Sequence, residues 1–186
     1  METYRYYANL RMNLLPYIYT EAKWFSETGE PMMRSMAYSF PEDVTAPEFE
    51  FQYMFGRNML IAPVTSPGAK TVKAYLPEGI RYNFFIGEQY QGGTYMIPVA
   101  VNEIPVFVRE GTIIPINTDE TGKLASYVGN GSESYVNLGY LVFPGEGEYT
   151  WHDYVNGTEI TVTHDGAAVI IDGQPVEHNI IWGAAS

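Results

Sequence analysis

The first part of the chain places apolar residues at a helical spacing. Six side chains between residues 4 and 27 recur every three or four positions: Tyr7, Leu10, Leu14, Ile18, Ala22 and Phe25. This spacing predicts an amphipathic helix that is capped by Gly29 and ended by Pro31. Pro16 lies inside the pattern, so we expect it to kink the helix or to displace its start.

Two further elements are predicted before residue 57. A short apolar run over residues 32–38 is typical of a buried strand. Thr45 and Glu48 form a capping box with Pro47 in the first turn, and Gly56 follows the last apolar residue. This second pattern predicts a short helix.

From residue 58 onward the pattern changes to short runs rich in valine, isoleucine and tyrosine, which are separated by glycine-containing turns. Such runs predict strands, and their short, even spacing favours an antiparallel β-sandwich. A loop rich in glycine, serine and threonine separates two groups of them at about residues 117–134. The predicted strands span residues 59–64, 71–76, 81–85, 94–99, 104–109, 112–116, 135–143, 149–155, 158–164, 167–171 and 176–182.

The composition of the chain excludes several classes of function. The 186 residues carry a net charge of −12, which repels phosphate backbones and anionic membranes and so argues against nucleic-acid or membrane partners. The absence of cysteine excludes disulfides, thiolate catalysis and zinc–sulfur sites. Charged residues interrupt the N-terminal segment, which therefore resembles neither a signal peptide nor a membrane span. We expect a soluble protein, with a cytoplasmic location favoured, that requires no cofactor.

Histidine and aspartate occur side by side at His152-Asp153 and at His164-Asp165, an arrangement that could hold a metal or relay a proton. A two-residue turn at Asn156-Gly157 would pair His152 with Thr161 and Tyr149 with His164. In that register the two histidines point to opposite faces of the hairpin. His164 and Asp153 then share the apolar face, and we interpret the two pairs as a turn aspartate and an ordinary surface histidine and not as a functional site.

That register also divides the hairpin into two faces. Trp151, Val155, Ile160 and Val162 are expected to point inward, whereas Thr150, His152 and Glu159 are expected to be solvated.

Paired carboxylates are the other candidates for chemistry, since general acid–base catalysis often uses two of them. The close pairs are Glu42-Asp43, Glu48/Glu50 and Glu146/Glu148, all in predicted loops or caps. Gly92-Gly93 precedes a strand and not a helix, so it lacks phosphate-loop geometry. Residue chemistry alone therefore assigns no catalytic, cofactor-binding or metal-binding residue.

Several strings, taken in order and spacing, resemble the C-terminal portion of glycoside hydrolase family 31. The resemblance spans about residues 10–116. The strings are Leu14-Leu15-Pro16-Tyr17-Ile18-Tyr19, Gly29 with Pro31-Met32-Met33-Arg34, Phe40-Pro41 with Asp43, Gln52-Tyr53-Met54-Phe55-Gly56, Leu60-Ile61-Ala62-Pro63-Val64, Tyr75-Leu76-Pro77 with Gly79, Gly92-Gly93, and Ile104-Pro105-Val106-Phe107-Val108-Arg109 with Gly111, Ile113, Ile114 and Pro115. One departure is Arg81, which stands where the family usually has tryptophan.

The resemblance implies a mainly β fold in which residues 1–56 are the last helix–strand–helix segment of a (β/α)₈ barrel and residues 57–186 a β-sandwich domain. It implies a parent enzyme that hydrolyses terminal α-glucosidic or α-xylosidic bonds with retention. The family's two catalytic aspartates lie upstream of the matching motifs, so this chain alone is expected to be inactive.

Partners follow from the same resemblance. They would be the carbohydrate substrate of the parent enzyme and either the missing barrel portion or a second copy, contacted through residues 1–56. Two alternatives stay open at this point. One is a stand-alone β-sandwich that binds carbohydrate or protein through exposed tyrosines, and the other is a purely structural module.

Overall fold

The structure is a computed structural model that describes residues 1–129, 134–165, 167–176 and 180–182. In those ranges the helices are α1 (Glu2–Asn13), α2 (Leu15–Thr28), α3 (Met36–Ser39) and one 3₁₀ turn (Ala46–Glu48). The strands are β1 (Met33–Ser35), β2 (Tyr53–Phe55), β3 (Met59–Ile61), β4 (Thr71–Leu76), β5 (Arg81–Asn83), β6 (Gln89–Tyr90), β7 (Gly93–Pro98), β8 (Val106–Arg109), β9 (Ile113–Thr118), β10 (Asn137–Val142), β11 (Gly147–Asp153), β12 (Thr158–His164), β13 (Val169–Ile171), β14 (Gln174–Val176) and β15 (Ile180–Trp182). The mainly β, antiparallel class expected from the sequence is confirmed.

The predicted opening helix is present but divided at Leu14 into α1 and α2. Pro16 explains the break, because proline donates no hydrogen bond to the preceding turn and fits best in the first turn of a helix. The break also changes which side chains are covered. Leu10, Leu14 and Phe25 are buried as expected, whereas Ala22 is exposed and Tyr17 is buried in its place.

The strand predicted over residues 32–38 is wrong in length and in surroundings. Only β1 is extended, and the chain then turns into α3, where the Ser35 hydroxyl accepts a hydrogen bond from the Tyr38 N–H at 3.2 Å. This cap converts the second half of the apolar run into a helical turn. β1 pairs with β2 alone, and the pairing is antiparallel. Met33 and Ser35 are exposed, so the strand is not buried.

The capping box at Thr45 and Glu48 is also wrong. The Thr45 side chain caps no helix; instead an Asp43 carboxylate oxygen accepts hydrogen bonds from the N–H groups of Thr45 (2.9 Å) and Ala46 (3.1 Å). The helical segment closes after one 3₁₀ turn. The residues predicted as its continuation form β2, which the sequence analysis missed.

One compact unit comprises residues 29–110. Its main sheet has six strands in the order β1-β2-β3-β8-β5-β6, all antiparallel, and β4 pairs with β7 in a separate two-stranded sheet. The core of this unit lies between these strands and the α3 region. Its largest members are Met36, Met54, Leu60, Leu76 and Phe107.

The other compact unit combines residues 1–28 with residues 111–182, as far as these are described. It contains a three-stranded sheet, β15-β10-β9, in which β10 and β15 run parallel, and a four-stranded antiparallel meander, β11-β12-β13-β14. Helix α2 packs against β9 and β11. The strands from Met59 to Trp182 thus form four sheets in two units, so the expectation that they form one sandwich was wrong.

No helix within the described ranges is both long and apolar enough to cross a membrane.

Candidate functional site

The β11–β12 hairpin carries both histidine–aspartate pairs. Its register pairs His152 with Glu159 and Gly147 with His164, two positions away from the predicted register, because a four-residue turn replaces the expected two-residue turn. A shift of two residues leaves every side chain on its predicted face. Both histidines therefore do point to opposite faces, as the sequence indicated.

The predicted exposures are confirmed with two exceptions, Val155 and His152. Trp151 and Val162 are buried and Ile160 is half-buried, whereas Thr150 and Glu159 are exposed. Val155 was predicted to point inward and is exposed, because it lies in the longer turn.

His152 belongs to a contact between the hairpin and α2. Its Nδ1 atom lies 2.8 Å from Glu159 Oε1, which also accepts a hydrogen bond from Lys23 Nζ at 2.7 Å. The hydrogen bond from Lys23 is the main cause that lowers the pKa of Glu159; burial opposes it, and the contact with His152 adds a smaller lowering effect. The ring of Tyr19 stacks on His152 with 6.0 Å between ring centroids. This half-buried environment differs from the solvated one predicted, and its role is to attach the helix to the sheet.

Asp153 lies on the buried face of the hairpin, as predicted, and its carboxylate serves the turn that follows. One carboxylate oxygen accepts hydrogen bonds from the N–H groups of Val155 (2.9 Å) and Asn156 (3.1 Å), and from the Tyr135 hydroxyl (3.0 Å). Burial raises the pKa of this carboxyl, but the hydrogen bonds from Asn156, Tyr135 and Val155 outweigh it, so the pKa is lowered overall. The carboxylate is thus held ionised by structural contacts.

His164 is buried, and burial lowers its pKa, which a hydrogen bond with the Gly111 backbone and the charge of Asp165 partly offset. The Asp165 carboxylate accepts hydrogen bonds from the N–H groups of Ala167 and Ala168, both at 2.9 Å. Neither pair has the geometry of a metal site. Among the residues that the structure describes, no three histidine, aspartate or glutamate side chains lie together as metal ligands.

The carboxylate pairs do not come together either. Glu42, both members of Glu48/Glu50 and both members of Glu146/Glu148 are exposed. Asp43 is committed to its own loop: in addition to the two N–H groups, its carboxylate accepts a hydrogen bond from the Tyr75 hydroxyl at 2.6 Å. That hydrogen bond is the main reason that its pKa is lowered.

A cavity of about 630 Å³ in the unit of residues 29–110 is lined by a buried arginine. Its walls include Phe40, Asp43, Tyr75, Pro77, Arg81 and Arg109. Arg81 is only 2% exposed, and its guanidinium lies over the Phe40 ring at 5.9 Å from the centroid. In the sequence, Arg81 stands out only as a departure from a family pattern, because no sequence signal shows that a strand arginine is buried.

The comparisons with known proteins agree on one family. Residues 29–114 match the profile described as "Glycosyl hydrolase family 31 C-terminal domain". An isomaltosyltransferase of Sporosarcina globispora is 43% identical over 159 residues, which are 84% of this chain and 14% of that protein. An α-xylosidase of Saccharolobus solfataricus is 37% identical over 145 residues, which are 77% of this chain and 19% of that protein.

Solved structures give the same result. The cycloalternan-forming enzyme of Listeria monocytogenes, in complex with a pentasaccharide substrate, has a TM-score of 0.83 and 42% identity, over 91% of this chain and 17% of that chain. The GH31 α-xylosidase of Xanthomonas citri has a TM-score of 0.72 and 29% identity, over 95% of this chain and 20% of that chain. The chain spans between 14% and 20% of the length of these four relatives. The sequence profile, the relatives and the structures together show that the chain belongs to glycoside hydrolase family 31 and carries its C-terminal domain.

Proposed function

We propose that the chain is the non-catalytic C-terminal portion of a longer family 31 enzyme that cleaves terminal α-glucosidic or α-xylosidic bonds with retention. The observation that supports this proposal is that a chain matching the family's C-terminal domain spans only 14–20% of the relatives' lengths. The proposed reaction class is that of two of these relatives, which are named as α-xylosidases.

The catalytic part of this proposal rests on geometry. Retaining hydrolysis requires a nucleophilic and an acid–base carboxylate about 5–5.5 Å apart across the scissile bond. The aspartates described above serve other purposes: Asp43, Asp153 and Asp165 each accept backbone hydrogen bonds in turns. We therefore expect both catalytic carboxylates to come from an upstream barrel and none from this chain.

The domain assignment is part of the same proposal. Residues 1–56 would be the end of a (β/α)₈ barrel, and residues 57–186 the C-terminal β domain. The exposed apolar side chains support a missing neighbour for the first segment. Among the described residues, eight large apolar side chains of residues 1–56 are exposed: Met1, Tyr4, Tyr6, Tyr19, Met33, Tyr38, Val44 and Phe51. A cytoplasmic location stays a prediction.

Glycosyl transfer is a second candidate for the reaction of the longer enzyme. The isomaltosyltransferase and the cycloalternan-forming enzyme are 43% and 42% identical to this chain, more than the two α-xylosidases at 37% and 29%. Retaining chemistry allows both outcomes, because a sugar hydroxyl can replace water in attacking the covalent intermediate.

The test starts from the coding sequence upstream of Met1. We expect an in-frame barrel with two aspartates, and the longer protein should release aryl alcohol from an aryl α-glucoside or α-xyloside. The purified 186-residue chain should not do so above background. Adding maltose as an acceptor and analysing the products would separate transfer from hydrolysis. An unrelated upstream sequence, or turnover by this chain that a carboxylate substitution abolishes, would contradict the proposal and favour the stand-alone binding module.

The exposed apolar residues of 1–56 also predict that the isolated chain self-associates, because exposed apolar patches commonly mark interfaces. Light scattering should give a mass above that of the monomer, and Phe51→Ser should reduce it. Val101→Ser is the matched control, since Val101 is 95% exposed but lies outside this segment. A wild-type chain that stays monomeric as its concentration is raised would contradict the prediction.

A further inference from the structure

Arg81 and Arg109 lie directly opposite each other on neighbouring antiparallel strands. Arg81 begins β5, Arg109 ends β8, and the two are register partners. Directly paired residues project from the same face of a sheet, so two positive side chains stand side by side there. Like charges in this position destabilise a sheet unless something compensates them.

The residues that the structure describes do not supply this compensation. Arg81 is 2% exposed, and no acceptor among the described residues meets its buried Nε and Nη1 atoms. The ion pairs found in the described ranges do not include Arg81 or Arg109. A buried guanidinium without hydrogen bonds is among the most costly arrangements in a protein interior.

The acidic residues around the cavity do not change this. The Asp43 carboxylate is occupied by Tyr75, Thr45 and Ala46. Glu42 and Glu78 line the cavity but are exposed, as Arg109 is, so water screens all three charges and the uncompensated buried charge is that of Arg81. Burial, and next the charge of Arg109, lower the pKa of Arg81 to about 10, with a smaller opposing effect of Glu110. Arg81 therefore remains cationic at neutral pH, and the described part of the chain gives it no ion-pair partner.

We propose that the cavity beside Arg81 and Arg109 binds an oxyanion, a phosphate or a carboxylate, that accepts hydrogen bonds from both guanidinium groups. Guanidinium groups recognise both kinds of oxyanion through paired N–H donors. Phe40 lies against the Arg81 guanidinium in a cation–π contact, and both residues line the cavity.

The test measures thermal unfolding of the 186-residue chain in increasing phosphate, and separately in acetate, with sodium chloride holding the ionic strength constant. A ligand that binds only the folded state raises the midpoint in proportion to its occupancy. Phosphate also stabilises proteins generally by exclusion from their surfaces, so variants must define that background. The variants are Arg81→Met, Arg109→Gln and, as a matched control, Lys70→Gln, which removes an exposed charge outside the cavity.

We expect the wild type and Lys70→Gln to respond alike to at least one anion. Arg109→Gln should weaken the apparent affinity at least about tenfold, as expected for a lost charge-assisted hydrogen bond. The Arg81→Met variant should retain only the rise in unfolding midpoint that phosphate causes in any protein by its exclusion from the surface. In ¹⁵N spectra of the wild type, the Nε–H resonance of Arg81 should shift as the anion is added, with half of the shift at the anion concentration that half-saturates the thermal effect. This measurement remains possible if the Arg81→Met variant fails to fold. A larger effect of phosphate or of acetate identifies the class of oxyanion. Equal responses of the wild type and Arg109→Gln, with an unmoved Arg81 resonance, would overturn the proposal.

Discussion

The side-chain amide of Gln52 binds both backbone groups of Tyr75. Gln52 Nε2 donates to the Tyr75 carbonyl oxygen at 2.8 Å, and the Tyr75 N–H donates to Gln52 Oε1 at 2.7 Å. Gln52 is 4% exposed, and the two bonds repeat the pattern by which a neighbouring strand would pair with β4. A single side chain thus completes the outer edge of the two-stranded β4–β7 sheet.

We expect Gln52→Ala to lower the free energy of unfolding by about 1–3 kcal/mol, because two backbone groups of a half-buried strand lose their partners. Urea denaturation of the variant measures this difference. Gln91→Ala is the matched control, since Gln91 is exposed, and it should stay within about 0.5 kcal/mol of the wild type. A Gln52 variant as stable as this control would show that water replaces the amide without cost.

Gly111 and Gly147 illustrate a close approach between two backbone segments. A Cβ atom on Gly111 would overlap the carbonyl oxygen of Glu146, and one on Gly147 would overlap the carbonyl oxygen of Gly111. Gly111 also has φ +70°, which other residues adopt only with strain. Neither atom in conflict is the end of a flexible side chain, so the backbone itself would have to move.

Gly111→Ala should therefore combine the conformational cost of about 1–2 kcal/mol with an overpacking cost of about 1–3 kcal/mol or more. Gly157→Ala is the matched control in the same unit, because Gly157 has φ +71° and no atom near the added Cβ. It carries the conformational cost alone. Equal losses of stability in the two variants would show that the backbone at Gly111 yields to the added methyl group.

Hydrophobic periodicity predicted most of the strands and the faces of the β11–β12 hairpin. The faces were correct even though the register was two residues off, since side chains alternate with a period of two. Periodicity failed where a local hydrogen bond decided the backbone. Ser35 turned the second half of a predicted strand into α3, and Asp43 replaced Thr45 as the cap of the 3₁₀ turn.

The candidate site was less predictable than the fold. Arg81 became notable only through its burial and its cross-strand neighbour Arg109, both of which depend on tertiary packing. The Gly111–Gly147 approach joins residues far apart in sequence and has no signature in either segment alone.

The burial of His164 predicts a loss of stability on acidification. Its folded-state pKa lies below the usual 6.5 because burial disfavours the charged imidazolium. The unfolded chain therefore takes up the proton first, so the stabilising contribution is complete above pH 6.5 and is lost as the pH falls through the folded pKa. We expect the free energy of unfolding to decrease as the pH falls below about 6.5.

His164→Gln should remove that decrease, and His152→Gln should retain it, since His164 is intact in the second variant. Denaturant unfolding of the three proteins at several pH values measures both slopes. The interpretation fails if His164→Gln keeps the wild-type pH dependence.

Thr20 covers the outer edge of the four-stranded meander. Its hydroxyl donates to the Pro16 carbonyl oxygen at 2.8 Å and accepts a hydrogen bond from the His152 N–H at 3.0 Å. β11 is an edge strand, so this N–H points away from β12 and has no strand to receive it.

Thr20→Val keeps the shape of the side chain but leaves the His152 N–H without an acceptor. We expect a loss of about 1–3 kcal/mol in the free energy of unfolding and faster exchange of the His152 amide proton. Thr158→Val, on an exposed position of the same hairpin, should change neither quantity, because valine also favours strands. If the His152 amide exchanges at the wild-type rate in Thr20→Val, the edge is protected by the packing of α2 rather than by this hydroxyl.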